Sequence, residues 1–70
     1  MLSESTVGQR IAYYRKLKGL KQKELAELAG IQENYLDRIE TGEKTVGILR
    51  LTRIAWALDV SLRELLGHGE

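Results

Sequence analysis

The residues best suited to chemistry are the basic side chains between Arg10 and Lys23. This segment holds six of the 11 lysines and arginines of the chain and no aspartate or glutamate. A basic segment on a domain of near-neutral net charge, here +1, is one pattern by which proteins bind a phosphate backbone. The same pattern also describes a solvated helix face, and charge alone favours that simpler interpretation.

Groups suited to catalysis or metal binding are scarce. The 70 residues include no cysteine and one histidine, His68, so the sequence excludes a disulfide and a thiolate nucleophile and leaves almost nothing for a zinc site. His68 lies near the chain end, where we expect a solvated tail. So short a helical domain also offers little room for a pocket. We therefore expect no enzyme, no metal and no cofactor.

The chain shows no sign of a membrane segment or a leader. Its longest uninterrupted apolar run, Ile54 to Leu58, is far too short to span a bilayer. The segment from Met1 to Ser5 lacks the basic start and apolar core of a signal peptide. These features predict a cytoplasmic protein that does not contact a membrane.

Glycines and capping residues divide the sequence into five predicted helices. Thr6 and Gln9, like Ser61 and Glu64, have the spacing of a capping box. The helices are predicted over residues 7–18, 22–29, 33–41 and 48–58, with a fifth that opens at Ser61 and closes at Gly67. Since no segment alternates apolar and polar residues as a strand would, the fold class is all-α. We expect a compact five-helix bundle over residues 7–66, with tails at 1–6 and 67–70.

The most specific pattern surrounds Gly30. Two short helices that meet at a steep angle need a small residue one turn before the bend, and Ala26 supplies it. The turn itself needs a positive φ, which Gly30 adopts freely. Ile31, Leu36 and Ile39 would then hold the second helix against the first.

Three further stretches add to this pattern, namely Ile11–Arg15, Ile39–Gly42 and Ile54–Leu66. Together with the residues around Gly30, they make the sequence resemble the phage repressor, Cro and XRE-type helix-turn-helix domains. The resemblance covers residues 7–66. It implies a lambda repressor-like bundle in which helices 2 and 3 form the helix-turn-helix. It also implies sequence-specific binding of double-stranded DNA, with helix 3 in the major groove.

The resemblance places base-reading residues on the exposed side of helix 3. Asn34 could bond adenine, Arg38 guanine, and Glu33 the amino group of cytosine. The acids also have a simpler explanation, because a carboxylate near a helix N-terminus suits the helix dipole. The predicted base-reading residues are Gln32, Glu33, Asn34, Asp37 and Arg38.

A second group matches or neighbours the family's phosphate-contact positions. Gln22 could bond a phosphate at the start of helix 2, or be an ordinary first-turn polar residue. Tyr35 is open between packing and a phosphate hydrogen bond. Such contacts supply affinity and position the protein without reading sequence. The predicted phosphate-contacting residues are Arg10, Lys21, Gln22, Tyr35, Thr41 and Lys44.

Four residues have a predicted structural role. Ala26 and Gly30 shape the turn. The resemblance implies that Arg15 pairs with Glu40 at the end of helix 3. The sequence departs from the family pattern at Asp59, which stands where a glycine is usual. The change is mild, because aspartate tolerates the left-handed backbone conformation.

Trp56 falls on the side of helix 4 that is usually solvated. An exposed tryptophan suggests an interface, and the family commonly dimerises through its C-terminal helices. We therefore predict a homodimer interface that contains Leu49, Arg53 and Trp56, and a pseudo-palindromic operator. The alternative is a tryptophan that lies partly flat on its own domain.

The resulting hypothesis is a DNA-binding transcriptional regulator, in the manner of a repressor. A protein-interaction module of the same fold, such as an antitoxin or a coactivator-like protein, is the alternative, because fold does not settle function. The chain could also be the N-terminal DNA-binding domain of a larger regulator.

Overall fold

The computed structural model describes residues 6–67, which form five helices and no strand. The helices are α1 (Val7–Leu17), α2 (Gln22–Ala29), α3 (Glu33–Glu40), α4 (Ile48–Leu58) and α5 (Leu62–Leu66). Their bounds agree with the predicted ones to within one residue. Of the predicted tails, 1–6 and 67–70, Thr6 and Gly67 are described and cap α1 and α5, whereas residues 1–5 and 68–70, which include His68, lie outside the described residues. Within residues 6–67 no helix is long and apolar enough to cross a membrane.

Local hydrogen bonds explain where the helices begin and end. The Gln9 backbone N–H donates to the Thr6 hydroxyl at 3.0 Å, and the Thr6 N–H donates to the Gln9 side chain at 2.9 Å. The same reciprocal bonds join Ser61 and Glu64, so both predicted capping boxes are confirmed. Asp59 ends α4 with φ 59°, in the left-handed conformation expected of it.

One hydrophobic core joins all five helices. Helix α2 packs mainly on α4, α3 lies between α1 and α2, and α5 packs on α1 and α4. The buried core residues are Ile11, Leu25, Ala26, Ala29, Leu36, Ile39, Leu51, Ile54, Ala55, Leu58 and Leu65.

Leu28 is an apolar residue of α2 that does not join the core. Its spacing from Leu25 would favour the same side of the helix, but more than half of Leu28 is exposed. The buried side of α2 centres on Leu25, Ala26 and Ala29. Leu28 is two residues from Ala26, so it lies roughly 200° from it around the helix.

The turn between α2 and α3 has the predicted geometry. Gly30 has φ 72°, and Ala26 is 2% exposed beneath the crossing of the two helices. The Ile31 N–H donates to the Ala26 carbonyl at 3.0 Å, which closes the end of α2. This turn leaves one side of α3 facing away from the core.

A second close approach involves Gly8 on α1. A Cβ atom placed on Gly8 would collide with the carbonyl group of Ile39. A glycine is therefore needed here for α1 to touch α3, although Gly8 has ordinary helical dihedral angles. The pattern of the sequence did not indicate this contact.

Candidate nucleic-acid interface

The outer side of α3 is a continuous polar edge. Leu36 and Ile39 are buried and fix the helix to the core. Four outer residues lie on the side of the helix away from Leu36 and Ile39, and Gln32 precedes them as the N-cap residue of α3. This polar edge, as we call it, consists of Gln32, Glu33, Asn34, Asp37 and Arg38, all of which are exposed.

The inner end of α3 is held by an ion pair. The Arg15 guanidinium donates to both carboxylate oxygens of Glu40, at 2.8 and 3.0 Å. Its third hydrogen bond, at 2.9 Å, reaches the Leu20 carbonyl in the turn after α1. The two side chains are only 11% and 6% exposed. A bidentate pair with so little solvent around it orients α3 relative to α1.

Gln22, the first residue of α2, joins the same network. Its side-chain amide donates to Glu40 at 2.9 Å and to Asp37 at 3.1 Å. Both amide hydrogens are therefore used within the protein, at a residue for which the sequence left a phosphate contact and an ordinary first-turn polar role open. In this conformation, main-chain N–H groups at the start of α2 are the donors left for an anion.

A basic groove runs beside the polar edge. It has a volume of about 730 Å³ and includes three cationic side chains and no carboxylate among its lining residues. A concave surface of one charge sign concentrates field lines and attracts anions. The lining residues are Gly30, Ile31, Gln32, Asn34, Tyr35, Arg38, Lys44 and Arg50.

The groove brings together residues from three elements. Arg38 and Asn34 come from α3, Lys44 from the loop after it, and Arg50 from the first turn of α4. Arg38 also approaches Glu43 at 3.8 Å, but both side chains are well exposed, so this ion pair contributes little.

Arg50 is the residue of this groove that sequence reasoning missed. Its guanidinium carbon lies 5.6 Å from the centre of the Tyr35 ring. The Tyr35 hydroxyl donates to the Thr45 carbonyl at 3.4 Å, which links the ring to the loop. The available signal was a run of basic residues, Lys44, Arg50 and Arg53, with no acid between them.

Other predicted phosphate contacts are distributed differently. Lys21 and Thr41 are exposed at the start of α2 and the end of α3, and the Thr41 hydroxyl donates to the Arg38 carbonyl at 3.2 Å. Arg10 lies elsewhere. A Cβ on Gly67 would collide with its guanidinium, so Arg10 sits where α1 meets the end of α5. The structure does not bring Arg10 into the basic groove.

The outer side of α4 carries the predicted interface residues. Trp56 is 76% exposed and Leu49 is 67% exposed, and Arg53 is exposed on the same side. Trp56 and Arg53 border a shallow depression, about 480 Å³ in volume, that Leu28 of α2 also lines. A tryptophan this exposed does not lie flat on its own domain. The outer side of α4 therefore has apolar surface that the domain itself leaves uncovered.

Comparison with known proteins identifies a family for this arrangement. A helix-turn-helix family model matches residues 11–65. The transcriptional regulator SinR of Bacillus subtilis (strain 168) is 46% identical over 61 residues, which is 86% of this chain and 55% of SinR. The chain thus spans little more than half the length of that relative.

Two solved structures have the same arrangement of helices. The restriction-modification controller protein C.AhdI from Aeromonas hydrophila is 37% identical, with a TM-score of 0.85, over 89% of this chain and 94% of that one. SinR, described as the master regulator for biofilm formation and solved in complex with DNA, is 44% identical, with a TM-score of 0.82, over 86% of this chain and 97% of that one.

Proposed function

We propose that this chain is a transcriptional regulator that binds double-stranded DNA of specific sequence. It belongs to the helix-turn-helix family of phage repressor and XRE-type regulators. The observation that carries the proposal is the polar edge of α3, which is exposed while Leu36 and Ile39 on its other side are buried. A helix presented in this way fits the major groove of B-DNA. The function is binding rather than catalysis, and the compartment is the cytoplasm.

Base reading is assigned to the polar edge. Asn34 and Arg38 lie on the side of α3 that borders the basic groove, and they have the donors and acceptors to read adenine and guanine. Gln32 and Glu33 lie at the start of the helix, where a major-groove helix approaches bases most closely. Asp37 is the least favoured member, because it accepts a hydrogen bond from Gln22.

Phosphate binding is assigned to the margins of the polar edge. Lys44 lines the basic groove, and Lys21 and Thr41 flank α3 at the surface. At the start of α2 we assign the contact to main-chain N–H groups of Gln22 and its neighbours, since the Gln22 amide is occupied. Tyr35 and Arg10 receive no direct phosphate contact in this proposal.

A salt titration with two variants tests DNA binding. Affinity for duplex DNA should fall steeply as salt rises, because phosphate contacts release counterions. Lys44→Gln should weaken binding to all sequences alike and reduce the salt slope by about 0.9. Asn34→Ala should instead relax the preference at one base pair. If neither variant changes binding to any duplex, the major-groove placement of α3 is wrong.

We further propose that two copies associate through the outer side of α4. Leu49, Arg53 and Trp56 lie one turn apart on that helix, and their exposure supports the proposal. On DNA the two recognition helices would then sit about 34 Å apart, on the half-sites of a pseudo-palindromic operator. Sedimentation with and without DNA tests this. A dimer that Trp56→Ser reverts to monomer supports it, whereas monomer only at high micromolar concentration contradicts it.

A protein-interaction module is the second candidate, and the carboxylates of Glu33 and Asp37 on the polar edge favour it. Such a module would bind a basic protein surface and show no preference among DNA sequences. The same titration separates the two functions.

As the chain spans 55% of the B. subtilis relative, residues 7–66 could also serve as the DNA-binding domain of a larger regulator.

A further inference from the structure

We infer that Arg50 is a phosphate-binding residue of this domain and that Tyr35 is the positioning residue that directs it. The inference rests on the proposed DNA binding and adds a contact to it. Arg50 lies in the first turn of α4, separated along the chain from the helix-turn-helix, yet it lines the same groove as Asn34 and Arg38.

Arg50 makes a cation–π contact with Tyr35. The Arg50 guanidinium lies over the Tyr35 ring, with 5.6 Å between its central carbon and the ring centre. In such a contact the N–H groups of the guanidinium stay free to bind a phosphate in bidentate fashion. The contact therefore limits the rotamers of a long side chain without using its donors.

Tyr35 is itself held in place by the loop after α3. It is half-buried, and its hydroxyl donates to the Thr45 carbonyl at 3.4 Å. The ring thus bridges α3, the following loop and α4. With its hydroxyl proton directed at the loop, Tyr35 presents its face to Arg50 rather than a donor to DNA. Of the two roles that the sequence left open, this arrangement favours packing over direct phosphate contact.

The charges in the groove also favour an anion beside Arg50. Arg50 shares the groove with Lys44 and Arg38, and no carboxylate lines it. Three cations that face one concave surface repel each other unless an anion lies between them. Asn34 and Gln32 of the polar edge line the same basic groove. When the polar edge enters the major groove of DNA, the basic groove therefore lies beside DNA phosphates, which provide such an anion. The structure thus assigns Arg50 to the DNA side of the molecule.

The experiment measures binding of a mixed-sequence duplex, long enough for two half-sites, over a range of salt concentrations. Arg50→Gln should weaken binding about tenfold at low salt, as expected for loss of one charged hydrogen bond. It should also reduce the salt slope by about 0.9. Arg50→Lys should keep the slope but lose part of the affinity, because lysine cannot stack or bind in bidentate fashion.

The tyrosine is tested by coupling. Tyr35→Phe keeps the ring and should bind as the unsubstituted chain does, whereas Tyr35→Leu should lose affinity. In the Arg50→Gln background Tyr35→Leu should have almost no further effect, because the ring then has nothing to direct. Arg63→Gln removes the same charge from α5, which packs on α1 and α4, and serves as the matched control.

The outcomes separate this inference from the proposed function. An unsubstituted chain that binds no duplex overturns DNA binding itself. A chain that binds with a steep salt slope, left unchanged by Arg50→Gln, overturns only the role of Arg50. Equal losses from Arg50→Gln and Arg63→Gln would show an effect of net charge and also overturn it. Additive effects of Tyr35→Leu and Arg50→Gln would overturn the positioning role of Tyr35.

Discussion

The inner end of α3 and its polar edge differ in where their polar groups find hydrogen-bond partners. At the inner end, Glu40 is 6% exposed in its side chain and is bonded to both Arg15 and Gln22. Along the polar edge, Glu33 and Asn34 are exposed, and no hydrogen bond of either side chain is found within residues 6–67. One eight-residue helix thus carries a buried network that fixes its position and an open surface that can bind.

This difference predicts that stability and DNA binding can be altered separately. Loss of a buried partner leaves another charge unpaired inside the protein, which is costly. Loss of an exposed side chain changes only what the surface can contact.

Glu40→Ala should destabilise the domain by about 3 kcal/mol, because it leaves the Arg15 guanidinium buried without its carboxylate. Urea unfolding measures this. Glu43→Ala is the control, since its ion pair is long and solvated and its removal should cost less than about 0.5 kcal/mol. An unchanged midpoint for Glu40→Ala would show that the inner end does not depend on the pair.

Gly8→Ala should destabilise the domain by about 1–3 kcal/mol, because the new methyl group meets the Ile39 carbonyl and forces α1 away from α3. Thermal unfolding measures the change. Gly47→Ala is the comparison, because its Cβ would meet nothing within 4 Å and its cost should be limited to a poorer N-cap of α4, about 1 kcal/mol or less. A Gly8→Ala variant as stable as the unsubstituted chain would show that the close approach of α1 to α3 is not needed.

Asn34→Ala should cost about 1–3 kcal/mol of binding free energy for the preferred sequence, and much less for a sequence changed at the base pair that Asn34 reads. Its unfolding free energy should stay within about 0.5 kcal/mol of the unsubstituted chain. Competition between the two duplexes measures the effect. An equal loss on both duplexes would remove Asn34 from base reading.

Asp37→Asn should have the smallest effect, a gain in affinity of about 1 kcal/mol or less for every duplex, because it removes a negative charge that faces phosphates. An asparagine oxygen can still accept the hydrogen bond from Gln22, so stability should hardly change. Filter binding at fixed salt measures this. A loss of affinity confined to one sequence would instead make Asp37 a base-reading residue.

The sequence predicted the helices well because their ends are encoded locally. Thr6 and Ser61 open helices through capping boxes, and Gly30 permits the left-handed turn between α2 and α3. The spacing of Leu36 and Ile39 predicted the buried side of α3, whereas the resemblance to helix-turn-helix domains implied the residues of the polar edge.

Other features depend on distances between helices, which spacing along one helix does not contain. Arg50 meets Tyr35 across the loop that joins α3 to α4, residues 41–47, so the contact depends on the path of that loop. The Gln22 side chain finds Asp37 and Glu40 across the helix-turn-helix. Arg10 belongs to a basic run in the sequence but lies against Gly67, away from the groove.

Base reading by the polar edge of α3 in the major groove can be measured by selection of binding sites from a random pool of duplex DNA. We expect an enriched sequence with two related half-sites about one helical turn apart, and loss of one preferred base pair in the Asn34→Ala variant. A pool that shows no enrichment, or the same enriched sequence for both proteins, would show that the polar edge does not read bases.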